Sequence, residues 1–222
     1  FTMGSTAEDV RAAEAACAAE QRASGSLAAL SVPRCRGRFD AEVPAGEVVL
    51  PTFAIDRTEV TRGAYDACVR AGACRAIPGL PMRPADVALP VDRATFADAV
   101  AHCPFRKGRL PSEAEWERAA RGSRGPWPWG RAHGPGRANG GRARGERADV
   151  EGADGDEDDH DGHAGLAPVG RFPDGASPFG LLDVAGNVWE WTSGFFSREA
   201  PQVAGSFDPR GPAVGDERTI RG

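Results

Sequence analysis

The apolar positions along this chain change period several times, and each change predicts a new element. Ser5-x-x-Glu8 reads as a capping box that opens an Ala-rich helix running to about Arg22. Ser24-Gly25-Ser26 and the stretch from Arg34 to Arg38 then break it. Glu47 to Asp56 (EVVLPTFAID) reads as a strand with a Pro interruption, which suits an edge or a bend. Thr61 caps a short helix through Val69, and Gly72 ends it. Pro78, Pro81, Pro84 and Pro90 leave no room for a helix or a central strand between them. Thr95 opens the next helix, in which Phe96, Ala99, Val100 and Cys103 recur at helical spacing as one buried stripe, and Pro104 stops it. The clearest punctuation follows: Ser112-x-x-Glu115 is a capping box, with Trp116, Ala119 and Ala120 on one face and Gly122 past the end. Pro111 and Trp116 stand at the two positions of a hydrophobic staple. Val188 to Phe196 (VWEWTSGFF) resumes a strand-like aromatic pattern, and Arg218 to Arg221 reads as the last strand. Few strands and separated helices, without internal repeats, predict an α+β fold rather than a βαβ array.

Between Ser123 and Pro168 the apolar clusters shrink to Trp127-Pro128-Trp129 and scattered Ala or Val, so residues 123–168 read as a long, irregular, acidic loop inside a single domain spanning 1–222. A loop of that length needs a function or an ion to hold it. Composition agrees: 29 Gly and 18 Pro predict a loop-rich fold, while 10 Phe and 5 Trp can still supply a core. With 27 Lys and Arg against 32 Asp and Glu, the formal net charge is -5, a poor match for a phosphate backbone. Nucleic acid is therefore not an expected partner. No apolar run approaches the roughly 18 to 20 residues that cross a bilayer, and Phe1 is neither an initiator Met nor the start of a secretion signal. The chain reads as a soluble piece whose true N-terminus has been removed. Its oligomeric state is left open.

Five cysteines, Cys17, Cys35, Cys68, Cys74 and Cys103, show no C-x2-C spacing. One reading pairs Cys17 with Cys35 and Cys68 with Cys74, leaving Cys103 a buried thiol, in an oxidising, extracytoplasmic compartment that is periplasmic or secreted. The alternative is five reduced core cysteines in the cytoplasm.

Several chemistries fail on spacing. Six carboxylates crowd residues 154–161, but aligning them to an EF-hand puts Pro168 where the bidentate Glu must stand. His160-x-x-His163 has no nearby Cys or third His to support zinc, so a solvated acidic loop is the better reading. Neither G-x-S-x-G nor a P-loop is present. His102 and Cys103, adjacent on a helix, point about 100° apart and do not pair readily as base and nucleophile.

Five separated segments carry a more specific signal: Phe1-Thr-Met-Gly-Ser5, Phe53-Ala-Ile-Asp56-Arg-Thr-Glu-Val-Thr61, Arg109-Leu-Pro-Ser-Glu-Ala-Glu-Trp-Glu117 with Ala119-Ala-Arg-Gly122, Pro128-Trp-Gly130, and Gly180-Leu-Leu-Asp-Val-Ala-Gly186-Asn-Val-Trp-Glu-Trp191. In that order they resemble the formylglycine-generating enzyme, or sulfatase-modifying factor, domain family, over nearly the whole chain. Arg221-Gly222 looks like the first half of that family's R-G-G-S segment.

The resemblance implies a loop-rich α+β fold of the C-type-lectin type, with few short strands and about three to four helices, held by structural calcium. It places one calcium on the Asp183 carboxylate, the Gly186 and Val188 carbonyls and the Glu190 carboxylate. Hard oxygen donors around a glycine turn suit that ion. It places another on the Asn139 side chain, the Gly140 carbonyl, the Asp161 carboxylate and the His163 carbonyl, closing the long loop. The only two Asn residues, Asn139 and Asn187, both land on family motif positions. The alternative is that Asp183 and Glu190 only bind backbone amides and Asn187 only serves its turn.

The family's oxidases bind copper(I) through a cysteine pair after R-G-G-S and convert a substrate cysteine to formylglycine; soft thiolates select that metal. None of the five cysteines here matches those positions, so the catalytic residues are unknown and copper is expected only if a Cys pair follows Gly222. Two functions are expected in consequence: an oxidase acting on a peptide or small molecule, with its catalytic segment outside this chain, or a non-catalytic, calcium-stabilised recognition module for a protein or peptide, using loop surfaces around Trp127, Trp129, Trp189 and Trp191.

Overall fold

The computed structural model describes residues 1–23, 42–122, 125, 127–130, 136–140, 161–163, 165–197 and 205–222. Among them the element order is β1 (Thr2–Met3), α1 (Ala7–Ala23), β2 (Gly46–Val49), α2 (Arg62–Arg70), α3 (Phe96–Phe105), α4 (Glu113–Arg121), β3 (Glu190–Phe195), β4 (Ser206–Phe207) and β5 (Arg218–Arg221), with 3-10 turns at Pro84–Asp86 and Pro173–Gly175. Helices therefore begin and end close to where the punctuation predicts them.

The caps explain both the agreement and one correction. Ser112 accepts from the Glu115 amide at 3.2 Å while the Ser112 amide donates to the Glu115 carboxylate at 2.8 Å, the predicted box of α4. Thr95 and Asp98 form the same reciprocal pair on α3, and the Thr61 hydroxyl accepts from the Ala64 amide on α2. On α1 the box is displaced by one residue from the predicted Ser5/Glu8: the Asp9 amide donates to the Thr6 hydroxyl at 3.1 Å and the Thr6 amide to Asp9 at 3.2 Å. Ser5 is buried instead, its hydroxyl accepting from Arg121 and its amide donating to the Glu42 carbonyl.

A second correction concerns α3. Its buried residues are Asp98 and His102, whereas Val100 is 45% exposed. Asp98 is pulled inward by its cap and by Arg75, and His102 stacks on Tyr65, ring centroids 5.6 Å apart. Polar pairing overrides the apolar stripe. Pro104 lies within the last turn of the helix rather than ending it.

Two small sheets frame the helices. In the first, β2 pairs antiparallel with β1 (Thr2↔Glu47) and parallel with β4 (Val48↔Ser206). In the second, β3 and β5 run antiparallel (Trp191↔Ile220), with a register irregularity between Trp191 and Phe195. Pattern and pairing part company after Val49: the strand predicted over Glu47 to Asp56 is a strand only as Gly46–Val49. Between the sheets, α4 lays Trp116, Ala119 and Ala120 against Leu181 and Val184, with Phe53 and Ile55 at the edge. A separate core unites Tyr65, Cys68, Cys74 and Ile77 beneath α2. The predicted Cys68–Cys74 disulfide is present, Cα atoms 5.3 Å apart, and Cys103 is a half-buried free thiol. Cys35 and the side chain of Cys17, like most of the acidic run in 123–168, lie outside the described residues.

Candidate metal centre

Four stretches meet around the turn at 183–188: 57–60, 136–140, 161–163 with 165–170, and 181–190. The turn at 183–188 is held in an uncommon backbone shape, with positive φ at Asp183 (60°), Gly186 (83°) and Asn187 (62°). Asp and Asn tolerate that region better than other side chains. Gly186 has no alternative, because a Cβ there would stand 2.2 Å from the Asn139 carbonyl oxygen. That carbonyl accepts from the Asn187 amide at 2.9 Å, so the two predicted ligand clusters are joined through their own backbone.

The four residues of the first cluster come together. Asp161 accepts from the Gly140 amide at 3.0 Å through one oxygen and from the His163 amide at 2.8 Å through the other. The Asn139 side-chain nitrogen donates to the Gly165 carbonyl at 2.7 Å and to the Asn187 side chain at 2.9 Å. Its side-chain oxygen is buried and accepts no hydrogen bond from the described residues. A buried acceptor left empty costs about 1 to 3 kcal/mol, so this atom is set toward something that donates or coordinates.

In the second cluster, Asp183 accepts from the Gly170 amide, and Glu190 from the Trp116 indole at 3.0 Å. A third carboxylate stands with them. Glu59 accepts from the Asn187 side chain at 2.9 Å and the Val188 amide at 3.2 Å, and only 8% of it is exposed. Burial, with Glu190 and Asp183 close by, pushes the Glu59 carboxyl up to about 9. Burial, opposed by the Trp116 hydrogen bond and reinforced by Asp183, lifts Glu190 to about 7, and burial raises Asp183 as well. Sequence reasoning gave Glu59 no role, although it lies within the quoted Phe53–Thr61 segment. Among the described residues no three His, Cys, Asp or Glu side chains converge as a metal cage. The predicted ligand sets are of another kind, since each includes two backbone carbonyls.

Residues 14–222 match the profile of the sulfatase-modifying factor enzyme 1-like domain. The chain belongs to that family. It is 39% identical over 142 residues to the formylglycine-generating enzyme of Thermomonospora curvata, covering 60% of this chain and 43% of that protein. It is also 38% identical over 136 residues to the inactive C-alpha-formylglycine-generating enzyme 2 of Mus musculus, covering 60% of this chain and 37% of that one. The chain thus spans less than half the length of these relatives. Treponema denticola variable protein 1 has a similar fold, with a TM-score of 0.57 at 18% identity over 84% of this chain and 78% of its own. As a sulfatase-modifying factor domain, the chain has the mixed α+β, C-type-lectin-like architecture that its short strands and capped helices display. Among the described residues no helix is long and apolar enough to cross a membrane.

Proposed function

We propose that this domain is the calcium-braced scaffold of a formylglycine-generating-type oxidase, working in an oxidising, extracytoplasmic compartment. The observation that carries the calcium reading is the buried, unpartnered Asn139 side-chain oxygen, beside a carboxylate already oriented by the Gly140 and His163 amides. Asn139, the Gly140 carbonyl, Asp161 and the His163 carbonyl would hold one ion; Asp183, the Gly186 and Val188 carbonyls and Glu190 would hold the other. All eight donors are hard oxygens, and mixed carboxylate and carbonyl sets of this kind favour calcium over magnesium. The raised carboxyls around Asn187 fit as well: a cation among them restores the charge that burial suppresses. Calcium supplies no reaction step here; it fixes loop geometry.

Among the described residues the thiols do not fit copper. Cys68 and Cys74 are joined, and burial pushes the lone Cys103 thiol up, away from the thiolate that copper(I) needs. Oxidation of a peptide or small-molecule substrate is therefore assigned to residues other than those described. A recognition module without catalysis is the second reading, and the similarity to a relative named inactive favours it. A cysteine pair encoded after Gly222 would support the oxidase over the module. The Cys68–Cys74 disulfide supports the oxidising compartment.

Thermal melting of the chelator-treated chain with added calcium tests the calcium reading. Saturation at a hundred times the dissociation constant stabilises by about 2.7 kcal/mol per site, read as a rise in Tm. Asn139→Leu should remove one site's contribution and Glu190→Gln the other's. An unchanged melt at millimolar calcium overturns the proposal.

A further inference from the structure

Asn187 fills every hydrogen-bonding position of its side-chain amide. Its oxygen accepts from the Asn139 side chain at 2.9 Å and from the Ala167 amide at 3.0 Å. Its nitrogen donates to Glu59 at 2.9 Å and to the Ala167 carbonyl at 3.2 Å. Reversing that amide would set its nitrogen against the Asn139 nitrogen and the Ala167 N–H, donor against donor, so its orientation is fixed.

The side chains on either hand are engaged as fully. Asn139 uses both hydrogens of its side-chain nitrogen, one on Asn187 and one on the Gly165 carbonyl. Glu59 gives one oxygen to Asn187 and the other to the Val188 amide, at 3.2 Å. A hydrogen-bonded path therefore runs from Asn139 through Asn187 and Glu59 to Val188. A second runs through backbone, from the Asn187 amide to the Asn139 carbonyl at 2.9 Å, where Gly186 comes so close that a Cβ would stand 2.2 Å from that oxygen. The two ends belong to different ligand sets: Asn139 to one ion, the Gly186 and Val188 carbonyls to the other. At the Asn139 end lies the buried side-chain oxygen that the described residues leave open.

We propose that Asn187 and Glu59 are positioning residues that couple the two calcium sites, so that filling either one tightens the other, a regulation that rests on the calcium reading above. Asn139, once held at its oxygen, fixes Asn187 through two hydrogen bonds. Asn187 and Glu59 then fix the turn that presents the Gly186 and Val188 carbonyls. Ordering completed for the first site is no longer a cost to the second, and linkage makes the effect equal in both directions. The domain would thus pass from empty to doubly braced over a narrow range of calcium concentration.

Calorimetric titration of the 222-residue chain with calcium alone tests the coupling. Asp161→Ala leaves only the second site and Glu190→Gln only the first; Asp161 bonds to the Gly140 and His163 amides and Glu190 to Trp116, so both changes spare the path. The overall association constant of the native chain, divided by the product of the two single-site constants, gives the coupling factor, expected at about fivefold or more. In Asn187→Gly the factor should fall to about one while both ions still bind, since glycine accepts the φ of 62° at that position. Glu59→Gln, which keeps the shape but loses one acceptor, should lower it partway. Hydrogen exchange gives a second readout: in Glu190→Gln, calcium at the remaining site should slow exchange of the Val188 amide about fivefold, and adding Asn187→Gly should abolish that slowing. A native chain that binds no calcium overturns the calcium reading itself. Two ions bound with a factor of one or less, or a factor that survives in Asn187→Gly, overturns the coupling and leaves that reading standing. The native factor is measured with Asn187 intact, so a value of one is decisive whether or not the glycine variant folds.

Discussion

Gly186 concentrates two separate demands at one position, a φ of 83° and a backbone oxygen 2.2 Å from where a Cβ would stand. Gly180 isolates the first demand, since it has the same φ of 83° with nothing within 4 Å of an added Cβ. Gly180→Ala should therefore cost about 1 kcal/mol, the ordinary penalty of the left-handed region. Gly186→Ala should cost about 3 kcal/mol or more, because the Asn139 strand of backbone must move. Urea denaturation of the two variants reads the difference, and equal costs would mean that the close approach relaxes freely. At Asp98 the demand is electrostatic. The Arg75 hydrogen bonds, helped by Thr95 and opposed by burial, hold its carboxyl at about 2, below the ordinary 3.8. A depressed folded-state value stabilises the fold above about pH 4, and the contribution is lost as pH falls through 2. The urea midpoint of the native chain should thus decline more steeply between pH 4 and 2 than that of Asp98→Asn. The turn at Gly186 was legible because the motif around it marked a glycine. Glu59 was not, because its burial and its neighbours Asn187 and Val188 come from a stretch 128 or more positions away.

Helices follow from short-range chemistry, and α4 was legible for that reason: cap and apolar face both lie within the span from Ser112 to Gly122. The first helix shows the limit of such reading. Ser5 and Thr6 are both capable caps, and local sequence does not choose between them; the choice is made by Arg121, which takes the Ser5 hydroxyl from 116 positions away. Thr6→Ala should destabilise α1 by about 1 kcal/mol and speed exchange of the Asp9 and Val10 amides in its first turn. Ser5→Ala should leave those amides protected. Faster exchange in the Ser5 variant instead would return the cap to Ser5. Strands are less local still. The run from Glu47 to Asp56 reads as one strand interrupted by Pro51, but a strand exists only where a partner pairs with it, and pairing stops at Val49.

The two small sheets, α4 and the N-terminal strand are fastened to one another by a charge cluster around Arg221. From β5, Arg221 reaches Glu42, Glu113 (2.7 Å) and Glu117 (3.3 Å). Glu117, 3% exposed, also accepts from the Gly4 amide at 2.7 Å and pairs with Arg121 at 3.0 Å. No local pattern could announce this, since its members are separated by as many as 179 positions and each alone reads as an ordinary surface charge. A buried pair costs desolvation when formed, yet breaking it strands a charge. Arg221→Met alone should therefore cost about 3 kcal/mol, lessened by whatever Arg121 still offers Glu117. Adding Glu117→Leu should cost less than the sum of the two single changes, because the double variant no longer strands the most buried of the three carboxylates that Arg221 faces. A double-mutant cycle in urea measures the coupling. Additive costs would show that Arg121 and solvent already satisfy Glu117, and that the β3–β5 sheet is held to α4 by packing rather than by charge.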